Sequence, residues 1–113
     1  MRSGEIVLIP FPQTDLQPGK LRPALVVAIA PGRHADILLA LVTSRVHQAI
    51  PRFDELLSPT DDDFPATHLK AASVIRLARL ATVDATVIQA KLGEIGPDRL
   101  ANIRGRLIAW LQA

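Results

Sequence analysis

Cysteine is absent from the chain, which excludes a disulfide framework, a thiolate zinc site and a cysteine nucleophile. Tyrosine is absent too, and aromatic residues make up only 4%. Long hydrophobic runs are missing. The longest, Ala24 to Ala30, falls far short of the roughly 20 residues that span a bilayer. The segment after Met1 is a short apolar stretch broken by Pro10 and Pro12, unlike the longer apolar region of a secretory signal. A soluble cytoplasmic protein without membrane contact is the expectation. A strong charge of either sign is also lacking. The formal net charge of +2 permits a nucleic-acid partner without arguing for one.

What is present is apolar material: 49% of 113 residues are hydrophobic. That content argues against disorder. The length fits one domain, residues 1–113, able to bury about two-thirds of its unfolded surface. The pattern reads as several strands and one late helix. Ile6 to Ile9 is a short strand ended by Pro10, and the segment from Phe11 to Leu21 is a loop. Ala24 to Ile29 is a second strand, ended by the Pro31-Gly32 turn signal. Asp36 to Val42 is a third, whose continuous apolar character suits burial on both faces. Phe53 to Leu57 is a fourth strand, and Ser58 to Ala66 is a loop. Ser73 to Leu77 is a fifth strand, which Arg79 to Val83 extends or follows. Gly96-Pro97-Asp98 starts a helix, with Pro at the first position and an acid near its positive end. Leu100, Ile103, Leu107 and Leu111 then form one apolar stripe. Gly105 within it marks either close packing or mere tolerance. The fold class is therefore mainly β: a small antiparallel sheet or barrel closed by a terminal helix.

Candidate chemistry is sparse. His34, His47 and His68 show no metal-ligand spacing, and no metal or other cofactor is expected. Asp61, Asp62 and Asp63 lack a calcium-loop pattern and read as a solvated acidic loop. Arg22 stands before Pro23, which biases it to an extended conformation at the start of an apolar strand. Thr43 and Ser44 place two hydroxyls where a strand leaves the core. Arg76 interrupts an apolar strand and points away from the face of Ile75 and Leu77. Arg79 lies on the opposite face from Arg76 unless a bulge intervenes. Lys70, Arg76 and Arg79 form a stretch without an acidic residue.

The motifs Gly4-Glu5-Ile6-Val7-Leu8-Ile9-Pro10-Phe11-Pro12, Thr14-Asp15 and Arg22-Pro23-Ala24-Leu25-Val26-Val27 resemble the opening of the MazF/PemK toxin family. Val42-Thr43-Ser44, Ser73-Val74-Ile75-Arg76-Leu77 and Thr82-Val83-Asp84 resemble its later strands. The resemblance implies an SH3-like antiparallel barrel with helical additions, assembled as a homodimer. It implies a cofactor-free, sequence-selective endoribonuclease acting on single-stranded RNA, held in check by a cognate antitoxin. Cleavage would proceed through the ribose 2′-hydroxyl, leaving a 2′,3′-cyclic phosphate. Carried over by motif, Arg22, Thr43 and Arg76 are the expected catalytic residues. Asp15, Lys20, Ser44, Arg45, His47 and Arg79 are the expected RNA contacts. Arginine suits the task because its planar fork donates two hydrogen bonds to phosphate and stays charged.

The chain departs from the family pattern in two places. Ala78 stands where an acidic residue follows Arg76 by two positions in PemK-like members, and the first loop carries no histidine. Either Arg22 and Thr43 suffice, or Asp15, His47 or His68 contributes. Few rings are available for base stacking, and Phe11 and Phe53 have packing as their ordinary use. Two other readings stay open. One is a catalytically weakened relative that binds RNA or antitoxin. The other is a gyrase inhibitor on the same barrel, to which the apolar helix end at Trp110 lends no special support. Trp110 serves equally as a dimer anchor or as a ring packed on its own core.

Overall fold

The computed structural model describes residues 1–10 and 20–113; Phe11 and Asp15 lie outside the described residues. The strands β1 (Glu5–Ile9), β2 (Arg22–Ile29), β3 (Asp36–Thr43), β4 (Glu55–Leu57), β5 (Ser73–Asp84) and β6 (Ala90–Glu94) build one antiparallel sheet. Their order is β4-β5-β3-β2-β1-β6. The outermost strands, β4 and β6, do not pair with each other, so the sheet curves into a half-barrel rather than closing. Helices α1 (Phe64–Thr67) and α2 (Pro97–Leu111) and two short 3-10 turns, Val46–Gln48 and Ala85–Val87, complete the described elements. The mainly β architecture with a terminal helix is thus the one the sequence pattern implies.

Burial on both faces explains the apolar run of β3. Ala40 and Val42 join a cluster with Ile6, Leu25, Ile75 and Leu77 that α2 covers with Ile103 and Leu107. Ile37, Leu39 and Leu41 point the other way, into a cluster with Val7, Ile9 and Val26. Alternate side chains leave opposite faces of a strand, so one strand feeds two cores.

Gly4 opens β1 at φ +94, a left-handed conformation that other residues adopt at a cost. There its N–H donates to the carbonyl of Val26, and its carbonyl accepts from Ile95. The next residue, Glu5, is buried. Burial pushes its pKa up, but the N–H of Arg2 and the ammonium of Lys91 outweigh that and hold it below the usual range. β6, an edge strand, pairs with β1 here. Its Gly93 lies so close to α1 that a Cβ would collide with the carbonyls of Ala66 and Thr67.

Several sequence expectations need correction. The fourth strand begins at Glu55, not Phe53, because the N–H groups of Phe53 and Asp54 both donate to the carbonyl of Ile50 in a turn. β6 has no counterpart among the expected strands: its one large apolar residue, Leu92, gives no alternation to read. The loop expected from Ser58 to Ala66 contains the start of α1. Its aspartates are not merely solvated. Arg99 donates to Asp61, Asp63 and Glu55 and to the carbonyl of Leu56 at 2.7–2.9 Å. The hydrogen bond from Arg99 holds the Asp63 carboxyl below its ordinary range, and the Ser58 N–H, then Arg99, do the same for Asp61.

Helix α2 starts at Pro97 as the sequence implies. Its apolar stripe is buried at Ile103 and Leu107 but ends exposed at Leu111. Gly105 faces open space, so it is tolerated rather than required. Trp110 meets Phe53 edge-to-face at 5.2 Å and remains 45% exposed.

Candidate functional site

A cleft of about 440 Å³ opens where the start of β2, the end of β3 and the middle of β5 meet. Arg22 reaches it from β2, where Ile9 of β1 is its strand partner. That pairing keeps Arg22 extended, as the following proline favours. Thr43 and Ser44 reach it from the end of β3. The Thr43 hydroxyl oxygen accepts from the Arg45 N–H at 3.2 Å. With that lone pair engaged, the hydroxyl hydrogen is left to donate elsewhere.

β5 delivers two arginines through a bulge. Leu41 of β3 pairs with Arg76, yet the adjacent Ala40 pairs with Leu80. Leu77, Ala78 and Arg79 are therefore extra residues on one side of the ladder. A bulge re-aims side chains that strict alternation would send to opposite faces. Arg76 and Arg79 consequently line the same cleft, which resolves the condition the sequence left open.

Arg76 is held from behind. Its Nε donates to Asp54 Oδ2 at 3.0 Å and its Nη1 to Gln48 Oε1 at 3.1 Å. Asp54 also accepts from the backbone N–H groups of Ile50 and Leu77, both at 2.9 Å. Its side chain is fully buried and that of Arg76 is 12% exposed. Burying a carboxylate costs free energy that such pairing offsets. Neither Asp54 nor Gln48 stood out in the sequence. An aspartate beside an apolar strand and a glutamine in a turn carry no signal that they meet an arginine on β5.

The cations Arg22, Arg45, Lys70, Arg76 and Arg79 surround the opening, and no carboxylate lines it among the described residues. Such a surface attracts polyanions and releases their counterions on contact. Of the expected RNA contacts, Ser44, Arg45 and Arg79 line this cleft. Lys20 and His47 are exposed on the surface but are not among its lining residues. His68 ends α1 at φ 56 and gives its Nδ1 to the carbonyl of Leu92 at 2.9 Å, tying α1 to β6 rather than facing the cleft. No cluster of three or more potential metal ligands occurs among the described residues. No helix among them is long and apolar enough to cross a membrane.

A family model for PemK-like, MazF-like toxins of type II toxin–antitoxin systems matches residues 2–111. No curated protein sequence matches. Solved structures resemble the chain over nearly its whole length. MazF from Deinococcus radiodurans is 26% identical with a TM-score of 0.67, covering 100% of this chain and 97% of that one. An endoribonuclease in complex with its cognate antitoxin, from a mycobacterial species, is 19% identical with a TM-score of 0.69, covering 99% and 95%. The Mycobacterium tuberculosis toxin MazF-mt6 is 14% identical with a TM-score of 0.67, covering 96% of each chain.

Proposed function

We propose, on the premise that the chain belongs to the PemK-like, MazF-like toxin family of type II toxin–antitoxin systems, that its basic cleft binds and cleaves single-stranded RNA. The observation that carries this reading is the convergence of Arg22, Thr43 and Arg76 on one opening that no carboxylate lines among the described residues. In the reaction, the ribose 2′-oxygen attacks the adjacent phosphorus. The O2′–P bond forms as the P–O5′ bond breaks; the 2′-hydroxyl proton passes to solvent water, and the 5′ oxygen takes a proton from water as it leaves as a hydroxyl. The pentavalent phosphorus species carries extra negative charge, which pre-aimed cationic donors stabilise as it develops. Arg22 and Arg76 supply that charge, and the Thr43 hydroxyl donates to a phosphate oxygen. Neither arginine needs to exchange a proton, since guanidinium keeps its charge at any working pH. Ser44, Arg45, Lys70 and Arg79 hold the flanking backbone. Lys20 and His47 remain proposed contacts for a longer strand beyond the cleft, and Asp15 remains a proposed RNA contact. A cognate antitoxin would block the same opening with an acidic segment, and the toxin would act as a homodimer in the cytoplasm.

The test is to incubate purified protein with a long unstructured RNA in EDTA and map the product ends. Cyclic-phosphate and 5′-hydroxyl ends are expected. Arg22→Ala should lower the rate by about 10²–10³-fold, the loss seen when one donor to a developing oxyanion is removed, with its circular dichroism spectrum unchanged. Full activity in that variant would reject the assignment.

A further inference from the structure

We propose that Asp54 is a positioning residue for this cleft, fixing the Arg76 guanidinium so that its Nη2 edge meets the phosphate. The proposal rests on the endoribonuclease reading and adds to it a residue that never touches substrate.

The geometry is restrictive. Asp54 Oδ2 accepts from Arg76 Nε and from the Ile50 N–H. Asp54 Oδ1 accepts from the N–H of Leu77, the neighbour of Arg76 on β5. Both oxygens are thus engaged by groups on two separate segments, and the side chain is fully buried. The carboxylate cannot swing into the cleft to exchange a proton with substrate. It can act only through the arginine. Gln48, on the 3-10 turn Val46–Gln48, takes Nη1. With Nε and Nη1 held, Nη2 bonds to no described residue and belongs to the side chain that lines the opening. A long, flexible donor is thereby aimed before substrate arrives, which is how a fixed donor outperforms a mobile one. Arg79 and Lys70, exposed on the same rim, have no such backing among the described residues and suit backbone tracking instead.

Asp54→Asn keeps the shape but can turn an amide N–H toward the Arg76 Nε–H. On an oligonucleotide carrying a mapped cleavage site, kcat should fall by about 10–100-fold, the scale of a misplaced group, with KM changed by less than about twofold. In an Arg76→Ala background the same substitution should have no further effect. Equal losses in both backgrounds would mean a merely structural role and would overturn the proposal. Should Asp54→Asn fail to fold, Gln48→Ala provides the same cycle from a surface turn. A drop in kcat that vanishes in the Arg76→Ala background is expected, and an unchanged kcat overturns the proposal. Proton NMR of the arginine Nε–H groups gives a readout independent of cleavage. The Arg76 signal, assigned by its loss in Arg76→Lys, should exchange slowly in wild type and quickly in Asp54→Asn or Gln48→Ala. Fast exchange in wild type overturns the positioning itself. Slow exchange in a protein that cuts no RNA would instead bring the proposal down through the endoribonuclease reading.

Discussion

Replacing Arg99 by leucine should loosen β4, the strand that directly follows the cleft's buried Asp54. Arg99 grips Asp63 with Nε and Nη2, Asp61 with Nη2, and Glu55 and the carbonyl of Leu56 with Nη1. Its side chain is 13% exposed. Glu55 and Leu56 belong to β4, which begins one residue after Asp54. Removing one partner of a buried ion pair costs about 3–5 kcal/mol, because the remaining charges stay buried without compensation. Here each acid keeps another donor: Arg106 for Glu55, the Ser58 N–H for Asp61 and the Gly96 N–H for Asp63. The expected cost of Arg99→Leu is therefore lower, about 2–4 kcal/mol, or a fall in Tm of about 8–15 °C for a chain of this size. The pH dependence has a definite sign. Asp63 and Asp61 titrate below their ordinary range in the fold, so their contribution is complete above the unfolded carboxylate pKa of about 4 and is lost as pH falls through the folded values. The variant keeps only the part that the Ser58 and Gly96 N–H groups supply and loses the part from Arg99, which protonation of the acids removes in the wild type as well. Melting curves followed by circular dichroism at pH 7 and in steps to pH 3 should show the gap between the two proteins narrowing with acid. A gap under about 3 °C at pH 7, or one that widens as the pH falls, would refute the reasoning.

Gly105→Ala should raise stability by about 1 kcal/mol through helix propensity, since its Cβ meets nothing within 4 Å; thermal melting reads this as a Tm about 4 °C higher. Lys70→Ala and Arg79→Ala should each make RNA binding less salt-sensitive, lowering the slope of log K against log salt by about 0.7 per lost phosphate contact. Fluorescence anisotropy with a strand 2′-O-methylated throughout, which cannot be cut, measures it.

The strongest sequence signals were those with a local cause. Pro10, the Pro31-Gly32 turn and Gly96-Pro97-Asp98 each set the backbone by their own chemistry, and the end of β1, the turn before β3 and α2 lie where those residues imply, whereas β2 starts two residues before the expected Ala24, at Arg22, and takes Pro23 into the strand. The doubly buried β3 was visible because every side chain from Ile37 to Val42 is apolar. β6 was hidden because it is an edge strand, paired only to β1, and carries one large apolar residue. The acidic loop was misread because its partner, Arg99, comes from α2, 36 residues beyond Asp63. A residue's own segment does not reveal a contact made by the fold.

The same limit governs the candidate site. Arg22, Thr43 and Arg76 could be picked out by motif, and the fold gathers them at one cleft. The resemblance also leads to a search for an acid two positions after Arg76, where the chain has Ala78. That search looks along the strand, whereas the bulge after Arg76 breaks strand alternation there. The acid that contacts Arg76 comes instead from Asp54, 22 residues earlier, and the backbone N–H that steadies it belongs to Leu77, the first residue of the bulge. The bulge therefore does two things at once. It turns Arg79 onto the same opening as Arg76, and it presents the N–H that holds the carboxylate behind Arg76. Local alternation in β5 is sacrificed at the point where the cleft gains an oriented arginine, so a departure from the family motif at position 78 need not leave Arg76 without a carboxylate partner.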